Sequence, residues 1–170
     1  MNPGGPVTDP GDRVASGHDI RRVFSMGMSF NDRETVAIVG GGHAFGKAHG
    51  ACAEPPCANG GVKTSGWEGA WTTNPAEWDN QFFQNLFKYT WVPDVSPAGN
   101  DQWKPYYKNN TKGPNIMMLT SDLALSVDKH YREISLEYAD NLTGLTTLER
   151  DFADAFYKVR CIRLHASKSS

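Results

Sequence analysis

Apolar positions recur along most of this chain at helical spacing, with little of the strict alternation that marks half-buried strands. From Asn31 to about His49, Val36, Val39, Gly40 and His43 fall on one face; Asn31 stands at the N-cap position, and Glu34 completes a capping box. Asp79 to Tyr89 predicts a helix with Phe82, Phe83, Leu86 and Phe87 on one stripe. Asp19 to Met28 predicts a short amphipathic helix, Ile20, Val23 and Phe24 opposing Arg21 and Arg22. Met117 to Val127 reads as a helix start at Ser121-Asp122 inside a hydrophobic setting. Asp128 to Asp140 follows as a helix, with Tyr131, Ile134, Ser135 and Tyr138 on one side. Thr146 to Val159 closes the series; Thr146 and Glu149 suggest a second capping box, and Phe152, Ala155, Phe156 and Val159 a buried stripe. Residues 1–18 and 51–66 read as loop, and Trp91 to Pro114, aromatic and proline-interrupted, as an extended excursion or short hairpin. The expected fold class is mostly α.

Composition narrows the function classes. At 170 residues, 39% hydrophobic and 21% charged, the chain suits one soluble globular domain. A net charge of −2 gives no bulk attraction to nucleic acid. No apolar run is long enough to cross a membrane, and residues 1–20 lack the basic start and apolar core of a signal peptide. Three cysteines are too few for a disulfide framework; Cys52 and Cys57 flank Pro55-Pro56 and are either a small loop disulfide or two free thiols, which leaves the compartment open. Asn109-Asn-Thr111 and Asn141-Leu-Thr143 fit the N-glycosylation tripeptide. Residues 158–170 carry Lys158, Arg160, Arg163 and Lys168 with no acid, which reads as a solvated, frayed tail.

The stretch from Glu34 to His49 concentrates the chemistry. As strand plus glycine loop, Val36 to Val39 would feed Gly41-x-x-x-x-Gly46-Lys47, most of a phosphate-binding loop; Ala48, however, stands where a Ser or Thr hydroxyl should hold magnesium. A zinc module from His43, His49, Cys52 and Cys57 is opposed by helical spacing, which turns His49 roughly 240° from His43. The helical reading is favoured: it sets the His43 imidazole on an apolar stripe, beside three glycines that admit a bulky neighbour. Asp122, flanked by Met117, Met118, Leu119, Leu123 and Leu125, needs a strong buried partner if ionised. Trp71 needs an acceptor for its indole N–H, and the Asp122 carboxylate could serve both Trp71 and His43.

Thr35 to Phe45 resembles the proximal ligand signature of the plant–fungal–bacterial haem peroxidase superfamily. The flanking Asn-Asp-Arg-Glu-Thr and Gly46-Lys47-Ala48-His49 are similar to its class I members. The resemblance implies that His43 is the axial ligand of the iron of haem b, that Asp122 is the proximal carboxylate, and that Trp71, in Ser-Gly-Trp-Glu-Gly-Ala-Trp, is the indole beneath the haem, a site for an electron or a radical. Lys47, His49 and Ser65 match positions near the haem propionates; Thr72, Asn74 and Asp79 match part of a cation site, although Ala44 replaces its expected threonine. Thr64 stands where ascorbate-oxidising members carry an arginine. Thr64-Ser65-Gly66 and Ser96-Pro97-Ala98-Gly99 look more like catalase-peroxidases, as does Met28 in part.

The implied reaction is reduction of hydrogen peroxide to water, with one-electron oxidation of a small or protein donor. The resemblance runs from Asp19 to Val159 and takes in only the proximal half of the family domain. A distal Arg-x-x-Trp/Phe-His segment is not found among these residues. The expectation is therefore a flexible segment 1–18, an incomplete proximal domain 19–160 and a divergent basic tail 161–170, with the distal half as a missing partner. The chain is expected not to turn over alone, which makes a non-catalytic haem-binding or structural fragment the alternative.

Overall fold

The computed structural model of the chain describes residues 12–50 and 66–166, with side chains as far as Val159. Six helices carry the described fold: α1 (Arg13–Met28), α2 (Asp32–His43), α3 (Gln81–Lys88), α4 (Thr120–Val127), α5 (Lys129–Ala139) and α6 (Gly144–Ala166). Two antiparallel pairs complete it, β1 (Lys47–Ala48) with β2 (Gly69–Ala70) and β3 (Thr90–Val95) with β4 (Asp101–Tyr106). The mostly α expectation holds, and Trp91 to Pro114 contains the hairpin β3–β4. No described helix is long and apolar enough to cross a membrane.

Helix α2 is the centre, packed by α6, α5, α1, α3 and α4. It starts as its sequence dictates. Asn31 accepts from the Glu34 N–H at 2.9 Å while Glu34 reaches back to the Asn31 N–H at 2.8 Å, so two orphan donors of the first turn are satisfied reciprocally. Val36 and Ala37 are fully buried. The glycines explain how close its neighbours come. A Cβ on Gly40 would fall 2.2 Å from the Phe83 ring, and one on Gly41 2.4 Å from Phe152, whereas Gly42 faces open space. The bulky neighbours that the glycines admit are thus rings from α3 and α6.

Several expectations about boundaries are corrected. Because Val36 to Gly42 is helical, the strand-plus-loop arrangement of a phosphate-binding motif does not form. Helix α2 also stops at His43 rather than about His49. Gly46 turns the chain at φ +83°, its N–H bonds the Pro75 carbonyl at 2.8 Å, and Lys47 and Ala48 enter a ladder opposite Ala70 and Gly69. Helix α1 begins at Arg13, inside the stretch read as loop, because Asp12 caps it by accepting from Ala15 N–H at 2.8 Å. The start of α6 is not the Thr146/Glu149 box. Asp140 gathers the Leu142 and Thr143 N–H groups just ahead of Gly144. On α6 the buried positions include Leu148 and Ala155, while Phe156 is half exposed.

Ion pairs pin the helices together. Arg21 of α1 forks to Asp32 at the start of α2 and to Asp128, the N-cap of α5, over the Tyr131 ring at 4.3 Å. Arg33 of α2 reaches Asp151 of α6 and Glu137 of α5. Lys158, assigned from sequence to a frayed tail, instead bonds Glu34 at 2.9 Å and the Ser29 carbonyl at 2.7 Å, so α6 holds the α1–α2 junction.

Candidate functional site

His43 is the last residue of α2, so its ring projects from a helix end whose hydrogen-bonding has just finished. Trp71 follows β2 directly. Its position is set by the β1–β2 ladder on one side and by Met117 N–H, which bonds the Ala70 carbonyl at 2.8 Å, on the other. Trp103 and Met118 exchange two backbone bonds, and this fixes the segment that leads into α4 and Asp122. Three sequence-distant side chains are therefore brought together by short ladders rather than by one helix.

The Trp71 indole N–H donates to Asp122 Oδ2 at 2.7 Å, and the Leu119 N–H donates to the same oxygen at 2.8 Å. Asp122 is completely buried, and these two donors satisfy one of its oxygens. Its other oxygen, Oδ1, lies 3.2 Å from His43 Nδ1; both atoms are buried and neither bonds elsewhere, yet the angle misses hydrogen-bond alignment. The imidazole stacks on Trp71 with ring centres 4.0 Å apart and planes 7° from parallel, and Phe82 meets it edge-on at 5.7 Å. With Nδ1 buried and the side chain 27% exposed, the open part of the ring is its other edge. That is a pre-positioned imidazole with one nitrogen turned to a carboxylate. A neutral His43 that gives its Nδ1–H to Asp122 keeps the Nε2 lone pair free for a metal.

The remaining sequence candidates divide. Lys47 is exposed, with its ammonium 3.9 Å from Glu68 Oε1, and His49 is exposed, with Nδ1 2.7 Å from the Gly50 carbonyl. Both follow the end of α2, Lys47 in β1 opposite Ala70 and His49 just past that strand. Ser65 lies outside the described residues, as do Thr64, Cys52 and Cys57. Thr72, Asn74 and Asp79 share the turn between β2 and α3: Thr72 is buried with Oγ1 3.5 Å from the Ala44 carbonyl, and Asp79 accepts from Gln81 N–H at 2.9 Å. No group of three or more His, Cys, Asp or Glu residues suited to hold a metal ion occurs among the described residues.

Sequence reasoning did not assign three contributors to this site. Phe82 was visible only as part of an apolar stripe, yet it braces the imidazole. The Leu119 backbone N–H carries no side-chain signal at all. Asn85, buried on α3, donates to the Trp71 carbonyl at 3.1 Å, and an Asn inside the stripe Phe82, Phe83 and Leu86 was the one available hint.

Known proteins resemble this chain along most of its length. A family model described as Peroxidase matches residues 4–141. The chain is 41% identical over 197 residues to a catalase-peroxidase of Gloeobacter violaceus, a match that takes in 94% of this chain and 26% of that protein. It is 40% identical over 195 residues to a catalase-peroxidase of Rhodopirellula baltica, covering 94% of this chain and 22% of the relative. A catalase-peroxidase of Yersinia pestis (strain Pestoides F) is 39% identical over 191 residues, at 94% and 25% coverage. The chain thus spans about a quarter of the length of these curated relatives. Family match and helical architecture point the same way: the chain belongs to the class I haem peroxidases.

Proposed function

We propose that this chain supplies the proximal side of a haem peroxidase centre, with His43 as the axial ligand of haem b. The observation that carries the reading is the pairing of His43 Nδ1 with Asp122 Oδ1, two buried polar atoms 3.2 Å apart with no other partner. Left unmade, such a pair costs the desolvation of both groups. A small rotation of the ring would close the contact and leave neither atom orphaned. The donor set fits: one imidazole, a carboxylate behind it and an indole stacked alongside.

Each residue then has a separate task. His43 would present Nε2 to the iron. Asp122, by accepting from Nδ1 once the contact closes, would raise the electron-donating power of the imidazole, which favours oxidised iron. Trp71, held flat against His43 and bonded to the same carboxylate, is the site from which an electron is drawn. Lys47 and His49, both exposed just after α2, would offer donors to the haem propionates, and the family resemblance groups Ser65 with them. Bound there, haem b would supply the redox-active iron at which hydrogen peroxide is reduced to water while a donor loses one electron at a time. That turnover is a property proposed for the whole protein. The part proposed for these 170 residues is haem binding from the proximal side.

Titration of the purified chain with hemin tests this reading. A stoichiometric Soret band in the wild type, lost or moved to the position of free hemin in His43→Ala, is the expected result. Equal binding by the two proteins removes His43 from the site.

A further inference from the structure

A line of aromatic rings leads from His43 into the buried core. Phe82 meets His43 at 5.7 Å, Phe83 meets Phe82 at 5.2 Å and 89°, and Tyr138 of α5 meets Phe83 at 5.0 Å and 61°. The line ends on a proton acceptor, since the Tyr138 hydroxyl donates to Asp151 Oδ2 at 2.9 Å. Both phenylalanines and Tyr138 are fully buried, whereas the side chain of Arg33, which holds Asp151, is over a third exposed. We propose that Tyr138 is a second, proton-coupled redox site, able to refill an electron vacancy on Trp71 while Asp151 takes the phenolic proton.

The chemistry balances within the chain. One electron passes from the Tyr138 ring through the packed rings to the oxidised Trp71 indole, which returns to its closed-shell form with its N–H still on Asp122. The proton of the hydroxyl crosses to Asp151 Oδ2, leaving a neutral phenoxyl and a neutral carboxyl. A phenol gives up an electron readily only when its proton can leave, and Asp151 sits in line to receive it. Tyr131 shows the contrast on the same helix. Its hydroxyl is buried with no partner, while the Arg21 guanidinium lies 4.3 Å over its ring, much as that of Arg33 lies 5.9 Å over Tyr138. The two tyrosines are equally buried and each has an arginine over its ring, so the acceptor is the difference between them.

The inference rests on the proposed haem reading only for the source of the vacancy, so it is tested without haem. Azide radicals made by pulse radiolysis oxidise indole side chains in the folded, haem-free chain; transfer to tyrosine then appears as decay of the indolyl band with matching growth of the phenoxyl band. A first-order phase, independent of protein concentration, is expected in the wild type and in Tyr131→Phe. It should be lost in Tyr138→Phe and in Trp71→Phe, and slowed in Asp151→Asn, which keeps an acceptor oxygen but cannot take the proton. Survival of the phase in Tyr138→Phe or Trp71→Phe, or an unchanged rate in Asp151→Asn, overturns the proposal. Failure to bind hemin would count against the proximal reading alone and leave this result standing.

Discussion

Trp71 donates its indole N–H to Asp122 Oδ2 at 2.7 Å, in a place that water hardly reaches from either side. The same oxygen accepts the Leu119 N–H, so a single carboxylate satisfies a side chain from the end of β2 and the first turn of its own helix. Truncation should therefore strand two donors. Asp122→Ala is expected to lose about 3 kcal/mol, whereas Asp122→Asn, which keeps one acceptor, should lose about 1 kcal/mol. Urea unfolding of the two variants measures the difference, and equal losses would contradict the shared-acceptor account.

The glycines of α2 give opposite predictions two residues apart. Gly40→Ala places a methyl into the Phe83 ring and should cost about 1–3 kcal/mol through overpacking. Gly42→Ala meets nothing within 4 Å and should gain up to about 1 kcal/mol from helix propensity. Thermal melts of both variants decide the matter; a destabilised Gly42→Ala would mean that something packs on that face.

Stability should fall at both ends of the pH scale for identifiable reasons. The Arg21 fork chiefly holds the Asp128 carboxyl below its usual range. Its contribution is complete above the unfolded carboxylate value of about 4 and disappears as pH drops through the lower folded value. Asp128→Asn should flatten that acid limb. Burial pushes the Tyr131 hydroxyl up to about 12, with Arg21 opposing the rise. A raised folded value favours the protonated form in the native state, so this contribution is full below pH 10 and is lost between 10 and about 12. Tyr131→Phe should remove that part of the alkaline slope in urea midpoints measured across the range, and an unchanged slope would assign the loss to other groups.

Lys158 ties the far part of α6 to the capping box of α2, bonding Glu34 and the Ser29 carbonyl above the Phe30 ring. The pair is partly open to solvent, so Lys158→Met should cost about 1 kcal/mol or less. Hydrogen exchange should localise the effect: faster exchange at the start of α2 is expected, and no change there would return Lys158 to the role of a solvated tail residue.

Local signals were legible wherever a local cause sets the structure. The Asn31/Glu34 box, the Phe82–Leu86 stripe and an acid embedded among Met117, Met118 and Leu123 all act within a few residues of sequence, and each stands where the pattern placed it. What stayed hidden depends on pairing at a distance. The end of α2 at His43 is enforced by Gly46 bonding to Pro75 and by β1 pairing with β2, partners more than twenty residues away. Residues of two-residue strands carry no periodicity to read. Lys158 looked like solvated charge because its partner, Glu34, lies 124 positions earlier. The gathering of His43, Trp71 and Asp122 was expected chiefly from the family resemblance, to which residue chemistry added that one buried carboxylate could accept from both N–H groups.

Resonance Raman spectroscopy of the ferrous, hemin-loaded chain tests the central claim most directly, because the iron–imidazole stretch reports both the ligand and what stands behind it. An iron–histidine band is predicted in the wild type, shifted to lower frequency in Asp122→Asn and absent in His43→Ala. The same band persisting unchanged in His43→Ala would contradict the account.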